Sequence, residues 1–231
     1  MGAKKSGRGD GAGLARPVSI FLLIFAVLLL ILSIPWAYLY STGAMSYSSL
    51  EYDSAASLSM SFSLSVLYYF LLYKRLKPVR IPSMLGLGKG SIRISNVLLG
   101  FLILAILLTL EVIVAVASYA TGVHISSNVA AIFGSAPAWF LVFSAIIAPI
   151  NEEVFFRGFL VPRVGILASA AIFGLAHFTY NSTFGIEVIA AFVFGLISGY
   201  VYKKTNSLYP SIIAHILLNS ISLLILFSVV V

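Results

Sequence analysis

The chain has 231 residues, 61% of them hydrophobic and only 9% charged, with no cysteine and a formal net charge of +7. A soluble domain carries about a quarter charged residues; this composition excludes a soluble enzyme, a disordered chain and a disulfide scaffold, and the missing cysteines remove thiolate chemistry. It predicts an all-α, polytopic membrane helix bundle with about seven transmembrane helices, in which the positive charge calls for no nucleic acid because the cations flank apolar runs.

In chain order, Met1 to Arg16 is small, polar and basic, and reads as a disordered cytoplasmic tail over 1–16. Pro17 to Tyr40 is an apolar run longer than the roughly 7–15 residues of a signal peptide core, so it reads as a retained first span. Ser41 to Ser57 reads as a polar loop carrying Glu51 and Asp53, and Leu58 to Tyr73 as a short, serine-rich second span whose hydroxyls can bond back to carbonyls or across to a neighbour. A basic loop follows with Lys74, Arg75, Lys77, Arg80, Lys89 and Arg93, then a third span from Asn96 to Tyr119. Ala120 to Ser135 is an uncharged connection. The remaining spans are Ala138–Val161, Val164–Tyr180, Ile186–Tyr202 and Leu208–Val231. Residues 17–134 thus hold the N-terminal helices and the basic loop, and 135–231 the helices expected to carry the chemistry.

Seven spans alternate the sides of the loops. With the N-terminus inside, the inner segments hold the tail cations, the six-cation loop, Arg163, Lys203 and Lys204, while the outer loops hold Glu51, Asp53 and Glu187 without a Lys or Arg. This positive-inside pattern predicts a multi-pass cell-membrane protein with a cytoplasmic N-terminus and an outer C-terminus.

Ionisable groups inside a bilayer are costly, and each is a candidate for function. They are Glu111, Glu152, Glu153, Arg157, His177 and His215, with Asn219 as a neutral companion. Glu153 and Arg157 are one helical turn apart and can pair. Glu152 is rotated by about 100° from Glu153, so one acid can be neutralised while the other faces a cavity. Pro149 opens or kinks the helix one turn upstream. Phe173, one turn before His177, can wall the pocket. His215 and Asn219 share a face, and can hold a metal or a water or donate to an oxyanion. If the fourth and fifth spans turn back at Pro162–Gly165, Glu152 and His177 lie at equal heights, roughly 19 Å from that turn, and His215 about 12 Å from the inner end of its span. An acid, two histidines and an asparagine at common depth can activate water for amide hydrolysis, with the histidines orienting the water or binding a divalent metal.

Three motifs then stand in order: Glu152-Glu153-Val154-Phe155-Phe156-Arg157 as EExxxR, Phe173 to His177 as FxxxH, and His215 to Asn219 as HxxxN. Over about residues 135–222 the chain resembles the CAAX-protease and bacteriocin-processing (Abi) family of intramembrane proteases, which includes the type II CAAX prenyl endopeptidase. The resemblance implies an intramembrane metalloprotease with Glu152 as general base and Glu153 and Arg157 in support. It implies His177, His215 and Asn219 around the attacking water, or around a divalent metal, zinc, that these three share with Glu152. A glutamate mechanism without metal is the other route the family suggests. The implied substrate is a membrane protein or lipidated peptide, of CAAX type, met at the lipid bilayer. Two other classes compete: a catalytically silent scaffold or immunity protein of the same fold, and a small ion-coupled transporter using Glu111, Glu152 and the histidines as a relay.

Overall fold

The computed structural model describes residues 10–122, 133–180 and 186–230. Among these residues every regular element is helical. The chain divides into two compact units, 1–78 and 79–231.

In the first unit, α1 (Asp10–Ser41) and α2 (Tyr47–Tyr68, extended by a π-helical turn Tyr69–Tyr73) form an antiparallel pair. Gly43, with φ 72°, makes the turn between them, and the Ser46 hydroxyl caps α2 by accepting from the Ser49 N–H at 3.2 Å. Phe25 stacks on Phe62 with centroids 5.5 Å apart, and Trp36 Nε1 donates across to Ser57 Oγ at 3.0 Å. The serines behave as their spacing predicts: Ser61 Oγ bonds back to Ser57 O at 2.7 Å.

Two boundaries differ from expectation. The first helix is already formed at Asp10, inside the stretch expected to be tail; residues 1–9 lie outside the described residues. The stretch 41–57, expected as a loop, contains the start of α2, so Glu51 and Asp53 are helical. The polarity of Tyr47–Ser57 argues against lipid burial, but no Gly or Pro interrupts it and Ser46 supplies a cap, so the helix begins earlier than hydropathy alone indicates.

The second unit holds a short helix α3 (Ile81–Met84), then α4 (Ile94–Thr121), closed by Gly122 in the left-handed conformation. Residues 123–132, the core of the expected uncharged connection, lie outside the described residues. A long helix α5 covers 138–160, with π-helical turns at Phe143–Ile147 and Val154–Leu160. It runs into α6 (Val161–Ala176), which breaks at Gly165, where φ is 84° and ψ 170°. Next come α7 (Ile186–Thr205), with Glu187 in its first turn rather than in a loop, and α8 (Tyr209–Val230).

Six stretches among the described residues are long and apolar enough to cross a membrane, close to the seven expected. The fourth, Ala138–Ala176, is 39 residues long. As a straight helix it would reach about 58 Å, nearly twice the hydrocarbon thickness. Instead it folds back at Gly165. Ser169 Oγ donates to Phe156 O at 2.7 Å, and the rings of Phe156 and Phe173 meet with centroids 4.8 Å apart. The arm after Gly165 packs on α7 through small residues. A Cβ on Gly195 would stand 2.9 Å from both Cα and Cβ of Ala170, and one on Gly174 would stand 2.9 Å from Val188 O. These contacts let two backbones approach closely enough to bury the side chains between them.

Candidate active site

The site begins with a defect in α5. Pro149 has no N–H, and the helix upstream of it widens: the Ala148 N–H bonds Phe143 O, five residues back, instead of Ser144 O. Ser144 O loses its helical donor in this way. Asn219 of α8 replaces it, its Nδ2 donating to Ser144 O at 3.0 Å. The bond ties α8 to α5 a little over two turns before the two glutamates.

Glu153 is fully buried and sits between two partners. Its Oε1 is 3.0 Å from Arg157 Nη1, one turn along, and 3.0 Å from Nδ1 of His215 on α8. With Glu153 ionised against Arg157, the short contact to His215 requires Nδ1 to carry the proton. In the neutral ring the other nitrogen, Nε2, then presents a lone pair. It faces Glu152, whose Oε2 is 3.8 Å away, too far for a direct hydrogen bond. Glu152 makes no closer polar contact among the described residues, and its side chain keeps 19% of its exposure where Glu153 keeps none. The two adjacent acids are thus sorted as their spacing predicts: one is consumed in structure, the other open.

Arg157 is held chiefly by rings. Its guanidinium lies 4.2 Å from the centroid of Phe173 and 4.8 Å from that of Phe194, and its Nε donates to Ser198 Oγ at 2.8 Å. Ser198 in turn donates to Phe194 O at 2.7 Å. Glu153 Oε2 and Arg157 Nη1 and Nη2 make no hydrogen bond among the described residues. Charge is balanced there while hydrogen-bonding capacity is left over, and cation–π contact in a desolvated pocket supplies part of the stabilisation.

Both histidines pack on Phe173, the residue expected to wall the pocket. Its ring centroid is 4.7 Å from that of His177 and 5.9 Å from that of His215. Phe194 covers the other side of His215 at 4.8 Å. His177 ends α6 and bonds Phe173 O through Nδ1 at 2.9 Å, so its Nε2 also presents a lone pair. It joins the cluster through Phe173, by the ring contact and by the bond to its carbonyl. Glu111 lies apart, exposed on α4.

The donor chemistry resembles a metal centre in one respect, since each histidine fixes its ring by donating Nδ1–H to an oxygen. The grouping does not complete one. Among the described residues no three His, Asp or Glu side chains converge to hold an ion. As placed, His177, His215 and Glu152 do not form such a group among the described residues.

The sequence places Glu152, Glu153, Arg157, Phe173, His177, His215 and Asn219 in one site; the structure gathers Glu152, Glu153, Arg157, Phe173 and His215, with His177 against Phe173 and Asn219 on Ser144 O. Sequence reasoning missed Glu153 as the residue that orients His215, and it missed Ser144, Ser198 and Phe194. Ser198 carried a signal: a hydroxyl one turn after Phe194, on an apolar helix, marks a polar partner nearby. Ser144 carried none, because its carbonyl is freed only by the widened turn.

Residues 134–221, less than half of the chain, match the family described as Type II CAAX prenyl endopeptidase Rce1-like. The match starts within one residue of where the three motifs placed the resemblance. The uncharacterized protein YpbD of Bacillus subtilis (strain 168) is 26% identical over 81 residues, which cover 35% of this chain and 42% of that protein. The chain therefore aligns with less than half the length of this relative. No solved structure matches.

Proposed function

We propose that this protein, whose residues 134–221 match the family of Rce1-like type II CAAX prenyl endopeptidases, is an intramembrane endopeptidase that hydrolyses a peptide bond with a glutamate-activated water. The observation that carries the reading is the division of labour between neighbouring acids: Glu153 is neutralised by Arg157 and His215, while Glu152 stands open beside the lone pair of His215 Nε2.

Glu152 and His215 Nε2 accept the two protons of one water and aim its oxygen at the scissile carbonyl carbon. As the carbon–oxygen bond forms, Glu152 takes a proton and the carbonyl oxygen becomes an oxyanion. The second N–H of the Asn219 amide donates to that oxyanion. When the carbon–nitrogen bond breaks, Glu152 returns the proton to the leaving amine, giving a carboxylic acid and an amine. Neutral His215 cannot donate from Nε2, so its part is to orient the water. Phe173 and Phe194 exclude bulk water from the cluster, which strengthens each of these interactions. His177 borders the site through its contact with Phe173. No step of this scheme needs a metal.

The substrate class follows from the surroundings. A site built on membrane-spanning helices receives peptides that are already at the bilayer, and a prenylated CAAX-type peptide fits that requirement.

The test uses purified protein in detergent and a quenched peptide library offered with and without a lipidated cysteine. Wild type is expected to cleave lipidated peptides and Glu152→Ala to cleave none. Absence of cleavage by wild type, or equal cleavage by the variant, ends the hydrolase reading. A chelator added to the same assay is expected to leave the rate unchanged; loss of activity that zinc restores would overturn the metal-free route.

A further inference from the structure

The segment leading into α4 is sorted by side. Ile81 and Leu85 are buried, whereas Val79, Met84 and Ile92 are 79%, 56% and 64% exposed. Between these apolar tips stand three exposed cations, Arg80, Lys89 and Arg93. The display is built, not loose. Leu208 donates its N–H to Gly86 O at 3.1 Å, the Tyr209 hydroxyl donates to Leu87 O at 3.3 Å, and Asn96 Nδ2 donates to Ser91 O at 2.8 Å. Gly86 is required there: its φ is +78°, and a Cβ would stand 2.7 Å from Asn206 O. These bonds fix the segment against the turn between α7 and α8, where Lys203 and Lys204 close α7.

This end of the second unit therefore gathers cations, and among the described residues no ion pair joins Arg80, Lys89 or Arg93 to an acid. The acids of residues 79–231 are Glu111, Glu152, Glu153 and Glu187, all inside helices away from this segment in sequence. Arg93 donates Nε to Gly90 O at 2.9 Å and keeps its two Nη groups uncommitted among the described residues, free for bidentate contact with a phosphate. The spans α4 and α8 start directly from this surface, so it lies at the height of the headgroups. Cations alternating with exposed apolar tips at that height suit the headgroup–acyl boundary of an anionic bilayer.

We propose that residues 79–93 form a docking surface for anionic phospholipid, with Arg80, Lys89 and Arg93 on the headgroup phosphates and Val79, Met84 and Ile92 inserted beneath them. This surface is separate from the Glu152–His215 cluster and does not depend on the hydrolase reading.

The absence of native cysteine permits a direct measurement. Ile92→Cys carrying an environment-sensitive fluorophore is placed, in the full chain, in nanodiscs of phosphatidylcholine alone or mixed with phosphatidylglycerol. Quenching is read with nitroxide-labelled forms of each lipid. Spin-labelled phosphatidylglycerol is expected to quench more than spin-labelled phosphatidylcholine, and R80Q/K89Q/R93Q in the same background is expected to lower that preference roughly tenfold or more. High salt applied to the protein with its cations intact is expected to abolish the preference as well, which keeps the test valid if the triple variant does not fold. Equal quenching by both lipids, no quenching by either, or a preference that survives loss of the cations would overturn the proposal. So would competition by inorganic phosphate as effective as that of the lipid, or displacement of lipid from the label by a soluble acidic peptide.

Discussion

Glu152 and Glu153 are neighbours in the chain and chemically alike, yet a rotation of about 100° between them decides what each can do. Glu153 meets the only guanidinium in the cluster and the Nδ1 side of His215; Glu152 meets the unprotonated edge of the same ring. Amide substitutions separate the two roles. Glu152→Gln keeps the shape of a partly exposed side chain and removes the base, so peptide cleavage is expected to fall by about 10²–10⁴, with thermal unfolding in detergent unchanged. Glu153→Gln leaves Arg157 buried without a counter-charge, and breaking such a pair costs about 3–5 kcal/mol. That variant is expected to lose melting temperature as well as activity. Equal melting temperatures for the two variants would show that Glu153 is not the structural acid. The Glu153–Arg157 pair was legible in the sequence because both residues lie one turn apart on one helix. The Glu153–His215 bond joins residues 62 apart in the chain, and no local pattern announces it.

At the scale of elements, the widened turn before Pro149 links a backbone irregularity to a side chain on another helix. Ser144 O needs a donor because Ala148 bonds one residue further back, and Asn219 supplies it. Asn219→Leu is expected to cost about 1–3 kcal/mol, the penalty for a buried carbonyl left unpaired. In a Pro149→Ala background the helix can return to regular spacing, with Ala148 bonding Ser144 O, so the same substitution is expected to cost less. A double-mutant cycle in detergent unfolding measures the difference as a coupling energy, and identical costs in both backgrounds would rule out the link. The α6–α7 contact makes a simpler claim. Gly195→Val puts a branched side chain where even a Cβ stands 2.9 Å from Ala170, and an overpacking loss of about 1–3 kcal/mol is expected from the same measurement. Apolar runs, Gly165 and the motif spacings could be read before the structure, because hydropathy, chain reversal and helical phase are local properties. The π-helical turns and the early start of α2 could not. Pro149 announces an opened helix but not which carbonyl loses its donor, and the early start of α2 answers to a cap at Ser46 that outweighs the polarity following it.

At the scale of the whole molecule, the cations impose an orientation that the fold supports at one point. Alternating spans require the basic segment before α4 and the lysines at the end of α7 to share a side. The hydrogen bond from Leu208 to Gly86 O shows that these two connections touch. If basic connections are retained on the cytoplasmic face, the turn between α1 and α2 and the far end of α4 are each expected outside. The chain lacks cysteine, and four single substitutions read this without background: Ala44→Cys, Lys89→Cys, Tyr119→Cys and Lys204→Cys. All four positions are exposed. A membrane-impermeant maleimide on intact cells is expected to label the variants at 44 and 119, and those at 89 and 204 only after permeabilisation. The opposite pattern would invert the topology and move the cationic surface out of reach of the cytoplasmic leaflet. Labelling at 89 and 204 on different sides would contradict the bond between their connections. The expected pattern places the open side of Glu152 in a bundle whose cytoplasmic rim carries the positive charge.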